Sequence, residues 1–466
     1  MIFEQVRTTP ASPIDCMGGV NWLWPKGWYD PRSQISRFSR ILGCIAAIAA
    51  CGLLSEKIYA QTYTVADLGP LSDLPARADS GPSSINNSGS VAGANVASGF
   101  YHAMVYSGSW NDLGTLGGSE SLAGGINDSG QIAGYSRTAA GGTNAFLWTP
   151  GGTDGVAGNL QMRSLGTLPG GIVSEAYAIN NSSQVTGYSD VAGPTGPRQH
   201  AFVYSAGSLK DIGQSLTVFV NSYGYGINSS GHVTGTAYNE SYSTAHAFFY
   251  DGVTTTDLGS LGGVGCSPLA LNDQDTLVGY VSISSTSDHA FRYTSGTATD
   301  LGTLGGHYSY ALAINNSNTI VGGSFSDSKD SIYHAFIWAN GTMTDLNTLL
   351  DQTGAGWTLI EARAINDAGQ IAGVGNFGGA NHAFRLTPAT TSIQPPRIQS
   401  LQMSGSSVII QFTTVLNQHY ALQGSASLLP TSWADLQTNI IGTGGILSIT
   451  NSVASPLQFY RVQLAP

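Results

Sequence analysis

Short apolar runs separated by polar turns recur along the chain from about residue 62 to residue 388. In the stretch from Tyr310 to Leu346, four such runs of four to seven residues are bounded by Asn, Ser and Gly. Runs of this length with two-residue alternation predict β-strands. Four of them in each copy of about 45 residues predict a four-stranded antiparallel sheet, the unit of a β-propeller.

The pattern occurs seven times. Each copy has a small residue and Ile or Leu before an Asn, a Gly seven residues after it, then with small departures His-Ala-Phe, an aromatic residue and Asp-Leu-Gly. Intervals of 41 to 53 residues between the Asn positions are typical of propellers and solenoids. We attribute the repeated Gly and the small residue to close approach of sheets near an axis. The structural repeat positions are Asn86, Asn127, Asn180, Asn228, Asn272, Asn315 and Asn366.

The positions at which the repeat begins and ends indicate how the first and last sheets are joined. The sequence Asp67-Leu68-Gly69 precedes the first repeated Asn, whereas the seventh copy ends at Leu386 without a fourth strand. We therefore predict that an N-terminal strand, about residues 62–68, completes the seventh sheet. An open solenoid is the alternative, but it would need capping units. The predicted fold is all-β: a seven-bladed β-propeller closed by the N-terminal strand, then a small β-sandwich.

The repeated residues of 62–388 resemble the HAF-repeat family of bacterial extracellular proteins, which takes its name from His-Ala-Phe. The resemblance implies export and a propeller-like fold. It carries no ligand and no catalytic residue onto particular positions of this chain.

The first 60 residues are predicted to be a leader and signal peptide. The apolar run from Ile41 to Leu54 follows Arg32, Arg37 and Arg40, and cleavage is expected after Ala60. Export follows, to the extracellular space, the cell surface or the periplasm. The lipobox-like sequence ending at Cys51 leaves a lipoprotein as the alternative.

The chain after the repeats is predicted to be a separate module. Residues 61–389 form the propeller, 390–396 a polar linker and 397–466 a β-sandwich. The Tyr-Ala-Leu-Gln run at Tyr420, the single Trp433 and the Phe-Tyr-Arg-Val run at Phe459 resemble an immunoglobulin- or fibronectin-type module of secreted proteins. The resemblance implies a spacer or attachment domain.

Composition narrows the choice of partners. Only 10% of residues are charged, the net charge is −11, and 41% are hydrophobic, so a packed core is expected and disorder is not. An acidic surface repels nucleic acid and anionic lipid. We expect a monomer without stable membrane insertion, whose partner is a glycan or a surface protein.

No catalytic motif stands out, and no cofactor or metal is predicted. The repeated His positions favour structural hydrogen bonds over a metal ring, because the second copy has Asn144 in place of His. The repeated Asp positions, with Ser164 as the third, favour turn or cross-strand partners over paired catalytic carboxylates. Variable loops next to the first strands carry aromatic residues suited to stacking on sugars. The ligand-binding candidates are Tyr223, Tyr225, Tyr308, Tyr310 and Trp357.

These patterns favour a secreted, non-catalytic binding protein that presents its variable loop face to a glycan or surface protein. A propeller-fold polysaccharide lyase or glycoside hydrolase is the first alternative, and a structural matrix component is the second. The enzyme alternative requires His, Tyr and acidic residues outside the repeat pattern to cluster at the axis. His232 and His307 are the only off-pattern histidines in the repeat region.

Overall fold

A computed structural model describes residues 61–72, 80–193, 196–216, 218–389, 396–405, 407–414, 419–425, 433–443, 445–452 and 459–464. The predicted leader and signal peptide, including Cys51, and residues 390–395 of the predicted linker lie outside these ranges. The described residues fall into two units, 61–389 and 396–464. Within them, no helix has the length and apolar character needed to cross a membrane.

The prediction of an all-β protein is confirmed. Residues 61–389 form seven four-stranded antiparallel sheets, numbered here in chain order. The strands are β1 (Tyr63–Pro70); β2 (Gly81–Ile85), β3 (Val91–Ala97), β4 (Phe100–Tyr106) and β5 (Trp110–Asp112) of sheet one; β6 (Gly117–Ile126), β7 (Ile132–Thr138), β8 (Thr143–Trp148) and β9 (Met162–Gly166) of sheet two; β10 (Ser174–Ile179), β11 (Val185–Gly193), β12 (Gly196–Ser205) and β13 (Ser208–Asp211) of sheet three; β14 (Asn221–Ile227), β15 (Val233–Tyr238), β16 (Ala245–Tyr250) and β17 (Thr255–Gly259) of sheet four; β18 (Gly265–Leu271), β19 (Leu277–Ser284), β20 (Ser287–Thr294) and β21 (Thr297–Asp300) of sheet five; β22 (Ser309–Ile314), β23 (Ile320–Phe325), β24 (Tyr333–Ala339) and β25 (Thr342–Asp345) of sheet six; and β26 (Trp357–Ile365), β27 (Ile371–Phe377) and β28 (Ala380–Pro388) of sheet seven.

Two short 3-10 helices, Leu346–Leu349 and Gln352–Gly354, connect sheets six and seven. Four-stranded meanders that pack in succession are the units of a β-propeller. In the sixth repeat the first strand begins at Ser309, two residues earlier than the apolar run predicts. The other three strands agree with the prediction to within one residue at most ends.

Strand β1 is the fourth strand of sheet seven, whose order is β1-β28-β27-β26. It runs antiparallel to β28, with Tyr63 opposite Pro388 and Asp67 opposite Phe384. Tyr63 and Leu68 are 3% and 4% exposed, so the strand contributes to the core as well as to the sheet.

A β-bulge interrupts the first strand of every sheet in this unit. The register shifts at the residue three before each repeated Asn, for example at Tyr177 between Ala176 and Ala178. A bulge leaves one residue unpaired and turns its side chain away from the regular alternation. The bulged residues are Ser83, Gly124, Tyr177, Tyr225, Leu269, Leu312 and Arg363.

The bulge corrects our explanation of the repeated Gly. A Cβ on this Gly would overlap the carbonyl oxygen of the residue five before the Asn, which belongs to the same sheet, as Gly187 shows with Glu175. The constraint is therefore within each sheet and not between sheets near an axis. The glycines are Gly93, Gly134, Gly187, Gly235, Gly279, Gly322 and Gly373.

The apolar cores lie between consecutive sheets. Val278 of sheet five packs with Ile320 and Phe336 of sheet six, and Leu68 of sheet seven packs with Ile85 of sheet one. The Phe of His-Ala-Phe is at most 1% exposed in the six copies that have it, and burial of such a ring is worth about 2–3 kcal/mol. First and last sheets thus share a core in the same way as neighbours along the chain.

The unit 396–464 contains two three-stranded sheets, ordered β29-β30-β33 and β32-β31-β34. Phe412, Tyr420 and Leu422 from both sheets are fully buried in one core. Its strands are β29 (Ile398–Ser404), β30 (Ser407–Thr413), β31 (His419–Ser425), β32 (Ala434–Ile441), β33 (Ile446–Ser452) and β34 (Phe459–Leu464).

Candidate functional site

The repeated asparagines form a closed circuit of hydrogen bonds, called here the asparagine circuit. The Nδ2 of each Asn donates to the main-chain oxygen of the next at 2.8–3.2 Å, and Asn366 donates to Asn86. Each Oδ1 accepts the N–H of the residue four positions later. With exposures of 3–6%, these amides are buried and saturated, which suits a structural role.

A cavity of about 190 Å³ lies beside the asparagine circuit. The acidic side chains in its lining, Asp128, Asp273 and Asp367, accept hydrogen bonds from Asn side chains of neighbouring sheets. Among the residues the structure describes, no group of three or more His, Cys, Asp or Glu side chains could hold a metal ion.

The repeated His and Asp are cross-strand partners, as the sequence predicts. In six sheets the His Nδ1 lies 2.7–3.0 Å from the Asp carboxylate, and His382 joins Asp67 of β1 in this way. In sheet two, Asn144 Nδ2 donates to Ser164 Oγ at 2.8 Å. The same Asp also accepts the N–H two residues further on, so it fixes the turn after the fourth strand.

Away from the asparagine circuit, sheets three and four bring together a tyrosine cluster that the repeat does not require. The bulged residues Tyr177 and Tyr225 stack with ring centroids 5.5 Å apart, and Tyr188 meets Tyr223 edge-on at 5.0 Å. Burial raises the pKa of each of these four phenols, so they stay protonated at neutral pH. Such rings offer flat apolar faces together with hydroxyl donors. The cluster comprises Tyr177, Tyr188, Tyr223, Tyr225, Tyr238 and Tyr242.

Two members of the tyrosine cluster, Tyr177 and Tyr188, interact with the carboxylate of Glu175. The Tyr177 hydroxyl donates to Glu175 Oε2 at 3.0 Å. Burial first, and then the charge of Glu175, raises the pKa of Tyr177. Glu175 lines a cavity of about 140 Å³ together with Glu120 and Arg137. Two carboxyl groups and the guanidinium of Arg137 therefore line one polar cavity.

A second carboxylate group lies on sheet seven. Glu361 Oε2 accepts the Arg363 Nε at 2.6 Å, and Glu361 Oε1 accepts the Tyr333 hydroxyl at 3.3 Å. Both Glu361 and Arg363 line a cavity of about 220 Å³. Burial and the nearby Glu361 raise the pKa of Tyr333. In this group the carboxylate is neutralised by an arginine, which suits a structural ion pair.

The structure places the five predicted ligand-binding residues differently from the prediction, because four of them lie in first strands and not in loops. Tyr223 and Tyr225 belong to the tyrosine cluster. Tyr310 meets Tyr280 edge-on at 5.2 Å and Tyr308 meets Phe325 at 6.1 Å. Trp357 stacks on Phe377 at 4.9 Å. The first strands start earlier than their apolar runs, which moves these residues out of the loops.

The off-pattern histidines pair with aspartates and do not line the cavities that Glu175 and Glu361 border. His232 Nδ1 lies 2.8 Å from Asp275, and His307 Nδ1 lies 2.9 Å from Asp330. The residues that sequence reasoning missed are Glu120, Glu175 and Tyr177. A Tyr and an acidic residue do meet outside the repeat pattern, without a His.

No protein-family model matches the chain, and no curated protein matches it. Among solved structures, it is similar to the β-propeller domain of the Trilobed protease from Pyrococcus furiosus, at 11% identity and a TM-score of 0.41 over 56% of this chain and 82% of that one. It is similar to puromycin hydrolase at 11% identity and a TM-score of 0.46, over 75% of this chain and 62% of that one. A Trypanosoma rangeli sialidase gives 10% identity and a TM-score of 0.33, over 82% of this chain and 84% of that one.

The prediction of a non-catalytic binding protein is corrected by these findings. The similar structures belong to a protease, a hydrolase and a sialidase, which favours the enzyme alternative. Of the residue types that this alternative requires at the axis, a Tyr and an acidic residue meet in Tyr177 and Glu175, away from the asparagine circuit and without a His. At these TM-scores the likenesses carry no argument about reaction or substrate. The case for an activity rests on the residues of this chain.

Proposed function

We propose that the protein is a glycoside hydrolase whose catalytic carboxyl groups are Glu175 and Glu120. The observation that carries the proposal is that both glutamates line one polar cavity, while Tyr177 donates a hydrogen bond to Glu175. Hydrolysis of a glycosidic bond needs one carboxyl group to protonate the leaving oxygen and a second to act as base or nucleophile. The adjoining tyrosine cluster supplies faces on which sugar rings can stack.

The roles of the two glutamates follow from their neighbours. Tyr177 fixes the orientation of Glu175, which is proposed to act as the base or nucleophile. Glu120 is then the proton donor to the leaving oxygen. Because burial keeps Tyr177 protonated, its phenol serves as a stable donor and does not compete with Glu175 as a base.

The architecture that supports this site is proposed to be a seven-bladed β-propeller closed by the N-terminal strand. Supporting it are the seven four-stranded sheets, the pairing of β1 with β28 and the return of the asparagine circuit from Asn366 to Asn86. Membership of the HAF-repeat family, export and a monomeric state are proposed with it on the sequence pattern.

The activity is tested by incubating the purified protein with a panel of polysaccharides and measuring the release of reducing ends. Glu175→Gln and Glu120→Gln should each lower kcat at least about 100-fold, because general acid–base catalysis contributes about 10²–10⁴ in rate. Tyr177→Phe should lower kcat less, since it removes orientation only.

Glu361→Gln is the matched control. Glu361 occupies the same repeat position as Glu175, five residues before the Asn, and also accepts a tyrosine hydrogen bond. It should keep nearly full activity. Turnover that survives both Glu175→Gln and Glu120→Gln, or a protein inactive on every glycan, would refute the assignment.

A further inference from the structure

The largest of the cavities described here lies between sheets five and six, away from Glu175. Its volume is about 490 Å³, compared with about 140 to 220 Å³ for the other three. Small-molecule sites in proteins usually measure about 300–1,000 Å³, so this cavity has the size of a binding site. Its lining includes Arg292, Thr299, Asp300, Asn318, Trp338 and Asn340.

Arg292 is the charged group in this cavity that lacks a counterpart. Its guanidinium lies over the Trp338 ring, 5.0 Å from the centroid. The Nε is buried and finds no hydrogen-bond partner among the residues the structure describes. A buried donor without an acceptor costs about 1–3 kcal/mol. The Nε of Arg385 is buried and unpartnered too, but Nη1 of Arg385 donates to Gly89 O at 2.7 Å, whereas the Arg292 side chain makes no hydrogen bond within the part of the chain that the structure describes.

Other cations stacked at the same aromatic position do have partners. Arg163 stacks on Tyr204, donates to its hydroxyl at 2.8 Å and pairs with Asp154. Lys210 stacks on Tyr250 and donates to its hydroxyl at 2.7 Å. An indole has a donor but no acceptor. The ring face of Trp338 therefore contacts the Arg292 guanidinium without accepting hydrogen bonds from its N–H groups.

The carboxylate of the neighbouring Asp300 already has two hydrogen-bond partners. Asp300 Oδ2 lies 2.8 Å from His289 Nδ1, and Asp300 Oδ1 accepts the N–H of Gly302 at 2.7 Å. A stacked guanidinium directs its donors outward in the plane of the group, where a carboxylate can accept two of them. Thr299 and Asn340 add a hydroxyl and an amide at the cavity wall, groups suited to sugar hydroxyls.

We infer that this cavity binds a uronic acid unit of an acidic polysaccharide, with its carboxylate on Arg292. Sugar hydroxyls meet Thr299 and Asn340. The polar lining, in which Leu301 is the one aliphatic residue, fits a sugar better than an apolar peptide side chain. The site does not depend on the proposed hydrolase pair, and it would retain an acidic glycan on the protein even if that pair were inactive.

The test is calorimetric titration of the full chain with trigalacturonate and with galactotriose, a neutral trimer of the same length. The acidic trimer should bind at least tenfold more tightly. Arg292→Gln should remove that preference. Arg385→Gln is the matched control, because Arg385 has the same repeat position but donates to Gly89 O at 2.7 Å, and its variant should bind like the parent.

Trp338→Tyr separates loss of binding from loss of folding. Tyrosine stands at this repeat position in four other sheets, so the fold should tolerate it. Its hydroxyl would accept from Arg292 as that of Tyr204 does from Arg163, and affinity for trigalacturonate should fall at least tenfold. Unchanged affinity in Arg292→Gln or Trp338→Tyr overturns the inference. Equal affinity for a triglutamate peptide overturns its assignment to a glycan.

Discussion

The two ends of each first strand differ in how strictly the seven sheets repeat one another. At the turn end, the same buried Asn donates to its neighbour in all seven sheets. At and before the bulge, the seven residues range from Gly124 to Tyr177 and Arg363. The turn end is invariant because every sheet must contact the next through it. No side-chain hydrogen bond of this kind recurs in all seven sheets at the bulge end, so its residues can vary.

This difference indicates where catalytic or binding side chains can arise in a protein built of repeats. A bulged residue is unpaired in its strand, so its side chain can change without disturbing the sheet. Tyr177, Tyr225 and Arg363 occupy bulges, and Glu175 lies two residues before one. The regular end supplies rigidity, and the irregular end supplies the side chains of the proposed site.

Removing β1 is expected to have the largest effect on the regular packing of the seven sheets. Deletion of residues 61–69 takes away the fourth strand of sheet seven, the buried Tyr63 and Leu68, and the pairing of Asp67 with His382. We expect a loss of at least about 5 kcal/mol, or a fall in Tm of roughly 10 °C or more. Calorimetry measures it. A synthetic peptide of residues 61–70 should restore part of the Tm, whereas a truncated monomer with the parental Tm would contradict closure by β1.

Cutting the asparagine circuit at one point should have the next largest effect. Asn180→Ala removes the bond to Asn228 O and the acceptor for the N–H groups of Ser182 and Gln184. Because the partners are buried, we expect a loss of about 2–4 kcal/mol in urea unfolding. Asn181→Ala is the control, since the two hydrogen bonds of Asn181 with Asp128 are exposed and their loss should cost about 0.5 kcal/mol. An equal loss of unfolding free energy in the two variants would show that the asparagine circuit does not stabilise the fold.

The same comparison explains which features of the fold and of the proposed site can be predicted from the sequence. The period and the four strands repeat seven times, so spacing alone predicts them. His and Asp pair in six sheets, and the sequence predicts a structural role for both residue types. The pair Glu175–Tyr177 occurs in one sheet, and a bulge brings the two side chains together. A bulge cannot be recognised from two-residue alternation. The repeated Gly on the opposite strand does indicate where the bulge lies. Aligning the copies on that Gly would have singled out Glu175, Tyr177, Glu361 and Arg363 as polar exceptions.

Strand β1 should also make stability sensitive to alkali. Burial raises the pKa of Tyr63 from 10.0 to about 12, so the folded state favours the protonated phenol. Its stabilising effect is complete below pH 10 and is lost as pH rises from 10 to about 12; at pH 11 the loss is about 1.4 kcal/mol. Urea unfolding at pH 9 and pH 11 should show a smaller decline for Tyr63→Phe than for the parent. Identical declines would mean that Tyr63 ionises as easily in the folded protein as in the unfolded chain.

The smallest effect is expected from replacing a His–Asp pair by the Asn–Ser pair that sheet two already contains. Sheet two replaces the His–Asp pair by Asn144 and Ser164 and keeps the hydrogen bond, and Ser164 Oγ also accepts the N–H of Gly166. In sheet three, His200→Asn or Asp211→Ser alone should cost about 1 kcal/mol, because each leaves a mismatched partner. The double variant should cost less than the sum of the two, with a coupling of about 0.5–1 kcal/mol in a double-mutant cycle. The matching cycle in sheet two, Asn144→His with Ser164→Asp, should couple with the same sign. Strict additivity in both sheets would show that the pairs do not stabilise the third and fourth strands together, and that their repetition has another cause.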